Sequence, residues 1–240
     1  MKEKIDLSII CCYNNNVQLE KCLMNSLKMQ TVEAELILID NTSKKFTSAA
    51  AALNYGARIA TKKYLLFVHQ DIEFLIENSL ASIYQNMTSL NNCIIGAAGV
   101  IKGRKGIISS MKEGSNYQSI GDPIIEKPTA VFTLDECLIG CKKDDFLNFD
   151  ENTCDNWHLY GVDLCLQAHL IGLGVVVIPC NICHHSSGNV NHDFFLTLRK
   201  LKRKYHKIYE KIETCCIGCY TSPLSIKGNI VLKEIKNKLR

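Results

Sequence analysis

The chain has 240 residues, 47% of them hydrophobic and 22% charged, with a formal net charge of +4. That length and composition fit one large α/β domain, or two small ones, with a real core, and exclude a disordered or fibrous chain. The charge is too mild to point to nucleic acid, and no apolar run approaches the roughly 18–20 residues that cross a bilayer.

The apolar run after Lys4 is short, carries Asp6 and leads to no small-residue cleavage site, so no signal peptide is read and a cytoplasmic location is expected. Without such a signal, the glycosylation patterns at Asn41 and Asn86 are taken as chance. Thirteen cysteines is an odd count for a disulfide framework, and Cys11, Cys12 and Cys165 sit inside apolar patterns, so reduced thiols are expected.

Asp6 to Cys12 reads as a first strand, ending in the polar cluster Tyr13-Asn-Asn-Asn16. Gln18 to Met29 has helical spacing, and Glu35 to Ile39 is a second strand, stopped at Asp40-Asn41. Ser48 to Thr61 is Ala-rich and helix-prone; Tyr64 to Val68 is a third strand. This β-α-β-α-β order predicts a parallel sheet with right-handed crossovers, whose polar strand ends share one edge. Asn78 to Met87 reads as a helix, Cys93 to Val100 as a strand and Gly103 to Lys127 as a loop or small hairpin. Thr129 to Ile139 reads as a strand carrying Asp135-Glu136, Val162 to Leu170 as a helix, and Val175 to Ile178 as the last clear strand. A basic helix, about Phe194 to Glu213, follows. The expected organisation is one domain over residues 1–193, with residues 194–240 as a basic helical extension.

The third strand ends in His69-Gln70-Asp71. Residues i and i+2 on a strand face one side, and ligands of open α/β sheets gather at the carboxyl ends of strands. His69 and Asp71 are therefore candidate metal ligands; Asp71 also fits a helix N-cap, and His69 a hydrogen-bonded structural histidine.

The ordered stretches Ser8–Asn14, Glu35–Asn41, Ala52-Leu-Asn-Tyr-Gly56, Tyr64–Glu73 and Gly161–Leu166 with His184 resemble family-2-type glycosyltransferases of the GT-A fold, in a subgroup with His-Gln-Asp in place of Asp-x-Asp. The resemblance covers roughly the first 190 residues. It implies a GT-A-like, Rossmann-like, mostly parallel sheet flanked by helices. It also implies a nucleotide-sugar donor, a UDP-sugar first among them, a divalent cation and inversion at the anomeric carbon. Two departures stand out. The acidic pair usual before Val-Asp-Leu-Cys is Tyr160-Gly161 here, and an Arg usual before Asn-x-Gly is Leu53.

Under that resemblance the cation, Mn2+ or Mg2+, is held by Asp71, His69 and His184, with His185 as the other candidate from the same loop; an imidazole favours Mn2+. Tyr13, Asn14, Asp40 and Gln70 are expected at the donor nucleotide, although Asp-Asn and Asn-Asn are also turn formers. Asp163 is the candidate general base, with Glu136 competing; Asp163 also suits the first turn of a helix as a dipole partner. Asp135, Trp157 and His158 are expected near the sugar or acceptor, with core packing the other reading of Trp157. Cys180-x-x-Cys183 and Cys215-Cys216-x-x-Cys219 raise a structural zinc site, against which stand a 31-residue gap and the basic helix inside it. The basic run Arg199–Lys211 fits either a solvated helix face or peripheral contact with an anionic membrane or a lipid-linked acceptor.

The expected function is a metal-dependent inverting glycosyltransferase that acts on a glycan or lipid-linked acceptor in cell-surface polysaccharide synthesis. The alternatives are a non-catalytic nucleotide-sugar-binding protein of the same fold and a nucleotidyltransferase. The latter lacks its Gly-rich phosphate loop after the first strand, where this chain has Tyr13-Asn14.

Overall fold

The structure is a computed structural model that describes residues 2–121, 124–186, 188 and 190–221. The expected C-terminal extension beyond residue 221 lies outside the described residues.

Strand β1 (Glu3–Tyr13) is buried on both faces over Leu7–Cys11, as a central parallel strand must be. It pairs in parallel with β2 (Val32–Asp40) on one side and β3 (Tyr64–Val68) on the other. Helical turns Asn16–Leu19, Glu20–Met24 and Asn25–Lys28, the middle one π-helical, connect β1 to β2. Asn15 caps their start by accepting the Gln18 N–H. The Ala-rich helix Ala49–Ile59, capped by Ser48, connects β2 to β3 and packs on the sheet. Gly56 lets it approach: a Cβ there would lie 2.4 Å from Ile10 and 2.9 Å from Ile39.

After β4 (Ile72–Phe74) and the helix Ser79–Ser89, the expected strand Cys93–Val100 divides at Ala97 into β5 (Cys93–Gly96) and β6 (Ala98–Val100), which join different sheets. The Gly-, Ser- and Lys-rich stretch forms three two-residue strands, β7 (Ile108–Ser109), β8 (Lys112–Glu113) and β9 (Gln118–Ser119). The expected strand Thr129–Ile139 is three pieces: β10 (Thr129–Ala130), β11 (Thr133–Leu134) and β12 (Leu138–Lys142). Its polar Asp135-Glu136 step leaves the sheet, which periodicity alone does not reveal. A helix Tyr160–Leu170, β13 (Gly174–Val177), β14 (Ile182–His184) and a helix His192–Tyr205 follow. The expected helix to Glu213 stops at Tyr205, and Lys211–Ile212 pairs as β15 with β16 (Cys219–Tyr220). Tertiary contacts outweigh propensity there: Tyr209 packs edge-on against Phe132, and Thr133 donates to the Glu213 carbonyl at 2.6 Å.

The main sheet has the order β10-β13-β5-β12-β3-β1-β2. Five strands run one way, and only β12 and β10 oppose them. This is the mostly parallel, helix-flanked α/β architecture expected from the sequence, with an apolar cluster on each face. The reversal of β12 positions the site. Leu138 pairs with Val68, so the residues before β12 arrive beside the carboxyl end of β3, where His69 N–H donates to the Cys137 carbonyl at 3.0 Å. Likewise β14 runs antiparallel to β4 with His184 opposite Ile72, next to Asp71.

Candidate active site

Three strand ends thus converge. His69 Nδ1 lies 3.4 Å from His184 Nε2, and His184 Nε2 lies 3.5 Å from Asp71 Oδ1. One ligand atom from each of the three residues falls within a common 4.8 Å. Two imidazoles and one carboxylate are a donor set for a divalent first-row cation such as Mn2+. The other ring nitrogen of His69 faces the Tyr160 hydroxyl at 3.0 Å, which fixes the ring as an outer partner fixes a metal-binding histidine. Burial, then the nearby His184, pushes the His69 pKa down to about 4, so its imidazole is neutral and able to ligate. Burial works to raise Asp71, but the hydrogen bond and charge of His184 outweigh it and hold the carboxyl well below its usual range. His184 is raised, the Asp71 interaction overcoming its own burial. His185 turns away and pairs with Glu73 at 2.6 Å.

Glu136 and Asp163 separate clearly. Glu136 Oε1 accepts the Gly161 N–H at 3.0 Å at the start of the helix Tyr160–Leu170. A Cβ on Gly161 would lie 2.9 Å from Glu136 Cγ, so the glutamate fills the space that an acidic side chain at 161 would enter. Burial, then Asp135, raises the Glu136 pKa to about 8 against these backbone bonds. Asp163, by contrast, is fully buried and lines neither of the cavities described below. It accepts from Lys204 at 2.8 Å, Tyr205 at 2.8 Å and Gln167 at 2.7 Å. The structure places it in the packing of the C-terminal helix, away from the site, because its position in the helix turns it to that side.

A cavity of about 260 Å³ lies at the carboxyl ends of β1 and β3, lined by Tyr13, Asn14, Gln70, Asp71, Glu136 and Trp157 among others. Gln70 staples the strand ends together: its Oε1 accepts the Asn14 and Asn15 N–H groups at 3.0 Å each, and its Nε2 donates to Asn14 Oδ1 at 2.9 Å. Asp40 lies off this cavity's lining, opposite Tyr13 in the β1–β2 pairing. It accepts from Thr42 N–H and Oγ1 at 2.8 and 2.7 Å and from Tyr13, and the Thr42 bonds lower its pKa.

A second cavity of about 590 Å³ adjoins the first across His69, Glu136, Trp157 and Ser186. Asp135, His158 and His184 line it, with Met111, Leu134, Val162 and Phe194 as apolar wall. Trp157, 42% exposed, stands between the cavities rather than in the core. Leu159, also in this wall, holds φ = +64° where the helix begins, a strained conformation for a branched residue. Cys215 and Cys216 line the cavity, while Cys180 and Cys183 are in the core. None of the cysteines at 180, 183, 215, 216 or 219 belongs to a convergent ligand set among the described residues.

Ser186 and the cavity-lining Gln18 and Ala49 carried no signal as site residues, while Tyr160 and Leu53 stood out only as departures from the family pattern. Ala49 lies one turn before Leu53, so the position at which the family carries an Arg marked the helix face that meets the cavity. Ser186 lies 3.2 Å from His184 Nε2, a contact made only by the loop's return.

A model of the glycosyltransferase-like family matches residues 8–213. No curated protein matches in sequence. Among solved structures, the crystal structure of S. aureus TarS aligns with a TM-score of 0.55 at 15% identity, over 85% of this chain and 39% of that one. The structure of S. aureus TarS 1-349 gives the same TM-score and identity, with 65% of its chain covered. The chain thus spans less than two thirds of either relative, and at this identity the likeness shows the fold, a GT-A-type α/β sheet, alone. With most of its length, the smaller cavity and the His69–Asp71–His184 cluster inside the matched residues, the chain belongs to the glycosyltransferase-like family.

Proposed function

We propose that the chain transfers a sugar, with inversion and with the help of a divalent cation, from a nucleoside diphosphate sugar to a glycan or lipid-linked acceptor of cell-surface polysaccharide. The observation that carries this reading is the convergence of His69, Asp71 and His184 on the wall between two adjoining cavities, with Glu136 beside them. These residues fit a cation: two neutral-capable imidazoles and a carboxylate point at one place, and Tyr160 holds one imidazole. Among the described residues no Lys or Arg lines the smaller cavity, so none of them supplies a side-chain counter-charge to the leaving diphosphate there. Mn2+ or Mg2+ held by the three residues would supply that charge as a Lewis acid.

Tyr13, Asn14 and Gln70 position the nucleotide at the strand ends, and Asp40, beyond the lining and opposite Tyr13, offers an acceptor for a ribose hydroxyl. Trp157 presents its face to the transferred sugar, and Asp135 and His158 border the acceptor cavity. Glu136 takes the proton of the acceptor hydroxyl as that oxygen attacks the anomeric carbon. The bond to the diphosphate oxygen breaks on the opposite face, and inversion follows. The apolar part of the larger cavity suits an acceptor with an apolar portion.

Release of nucleoside diphosphate from a panel of nucleotide sugars, UDP-sugars first, tests the reading with Mn2+, with Mg2+ and with EDTA. The expected result is turnover of one donor that needs metal and is lost in Asp71→Ala. Metal-independent turnover, or pyrophosphate release from a nucleoside triphosphate, contradicts it.

A further inference from the structure

A second group of potential ligands lies beside the first. Asp135, Cys137 and His184 each offer one ligand atom, and these atoms lie within 4.8 Å of one another. The topology brings them together. Asp135 and Cys137 stand at i and i+2 just before β12, and His184 ends β14. Asp135 Oδ1 accepts the Cys137 N–H at 3.0 Å, which fixes the carboxylate beside the thiol's own backbone. The Cys137 sulfur lies 3.8 Å from the Met111 sulfur, and Met111, Asp135 and His184 line the larger cavity, which gives an ion a way in.

The chemistry of this group differs from that of the first. Replacing His69 and Asp71 by a thiol and another carboxylate moves the preference from Mn2+ and Mg2+ toward zinc-like cations, for which thiolate is a strong ligand. We propose that Asp135, Cys137 and His184 form a second cation site, selective for Zn2+ and similar ions, which shares His184 with the first. Binding releases the Cys137 proton to solvent as sulfur bonds the ion. An imidazole engaged at the second site is drawn from His69 and Asp71, so Zn2+ inhibits the metal-dependent transfer; this last step rests on the function proposed above.

The test is Co2+ titration of the full metal-free chain, without any sugar donor, followed by the near-ultraviolet sulfur-to-cobalt absorption. The expected result is a band in the wild type and in Cys216→Ser that is absent from Cys137→Ser, is displaced by Zn2+ and persists with equimolar Mn2+. Should Cys137→Ser not fold, as circular dichroism reports, Asp135→Asn, which keeps the thiol, is expected to weaken Co2+ binding about 10- to 100-fold. No band in the wild type, a band untouched by Cys137→Ser, or unchanged affinity in Asp135→Asn overturns the proposal. The readout is independent of donor turnover, so this site fails or stands apart from the proposed reaction. A matching relief of Zn2+ inhibition of donor cleavage in Cys137→Ser is expected, and equal inhibition of both proteins contradicts the sharing of His184.

Discussion

Glu136 is half-buried and Asp163 fully buried near one helix, and their partners differ. Asp163 meets an ammonium and a phenol, whereas Glu136 meets backbone N–H groups and the neighbouring Asp135. Glu136→Gln keeps the shape and the Gly161 contact but removes the base, so kcat should fall roughly 100- to 10,000-fold with little change in donor KM. Asp163→Asn should instead lower the melting temperature and leave the folded fraction active; loss of turnover in the stable Asp163 variant alone would reverse these assignments.

The pH dependence follows from the same contacts. The groups facing Glu136 are Asp135 on its own segment and, from the helix, Tyr160 and the Gly161 N–H, with His69 beyond the Tyr160 hydroxyl. A base with a pKa raised to about 8 is protonated below that value, so kcat/KM should climb with pH, reach half its limit near 8 and level off above it. Stability carries the opposite sign. Between the ordinary value of 4.5 and about 8 the folded chain holds a proton that the unfolded chain has lost, so stability falls as pH rises across that window. Melting curves from pH 5 to 9 should show this fall in the wild type and a smaller one in Glu136→Gln; identical slopes would contradict it.

At the scale of elements, the site depends on a close fit between β12's lead-in and the helix Tyr160–Leu170. A methyl group on Gly161 would lie 2.7 Å from Ile139 Cδ1 and 2.9 Å from Glu136 Cγ. Gly161→Ala should therefore cost about 1–3 kcal/mol and displace Glu136, with activity falling together with stability; a fully active, equally stable variant would show that the fit is loose. This is also where the sequence was least legible. The three parallel strands and their polar ends were readable because buried strands are apolar runs and their crossovers are helices, and His69, Gln70 and Asp71 followed from that. Glu136 stood as a rival to Asp163 because its neighbour in space, Gly161, is 25 positions away, and no local period records that β12 runs backwards. The division of Thr129–Ile139 into three strands was hidden for the same reason.

For the whole molecule, the C-terminal helix is part of the packing. Its buried face of Phe194, Phe195, Leu198, Leu201 and Tyr205 closes a third apolar cluster with Val162 and Leu166. Lys204 bridges Asp150 and the buried Asp163, and Lys200 pairs with Asp155 at the surface, so part of the basic run that suggested a membrane face is engaged by the chain's own acids. No helix among the described residues is long and apolar enough to cross a membrane. We propose that the division at residue 193 is one of sequence character and that residues 194–213 fold with the rest. Lys204→Met should cost about 3 kcal/mol by leaving Asp163 buried without its cation, roughly 6–12 °C in melting temperature. A chain ending at residue 193 should fail to give a cooperative transition; a sharp one near the wild-type temperature would make the helix an appendage.

The proposed reaction requires one divalent cation between His69, Asp71 and His184 with a donor diphosphate against it. The most direct measurement is anomalous diffraction at the manganese edge from crystals grown with Mn2+ and a nucleoside diphosphate. The expected result is a peak within about 2.5 Å of His69 Nδ1, His184 Nε2 and a carboxylate oxygen of Asp71. A peak elsewhere, or ordered nucleotide at the ends of β1 and β3 with no manganese between these three residues, would contradict it.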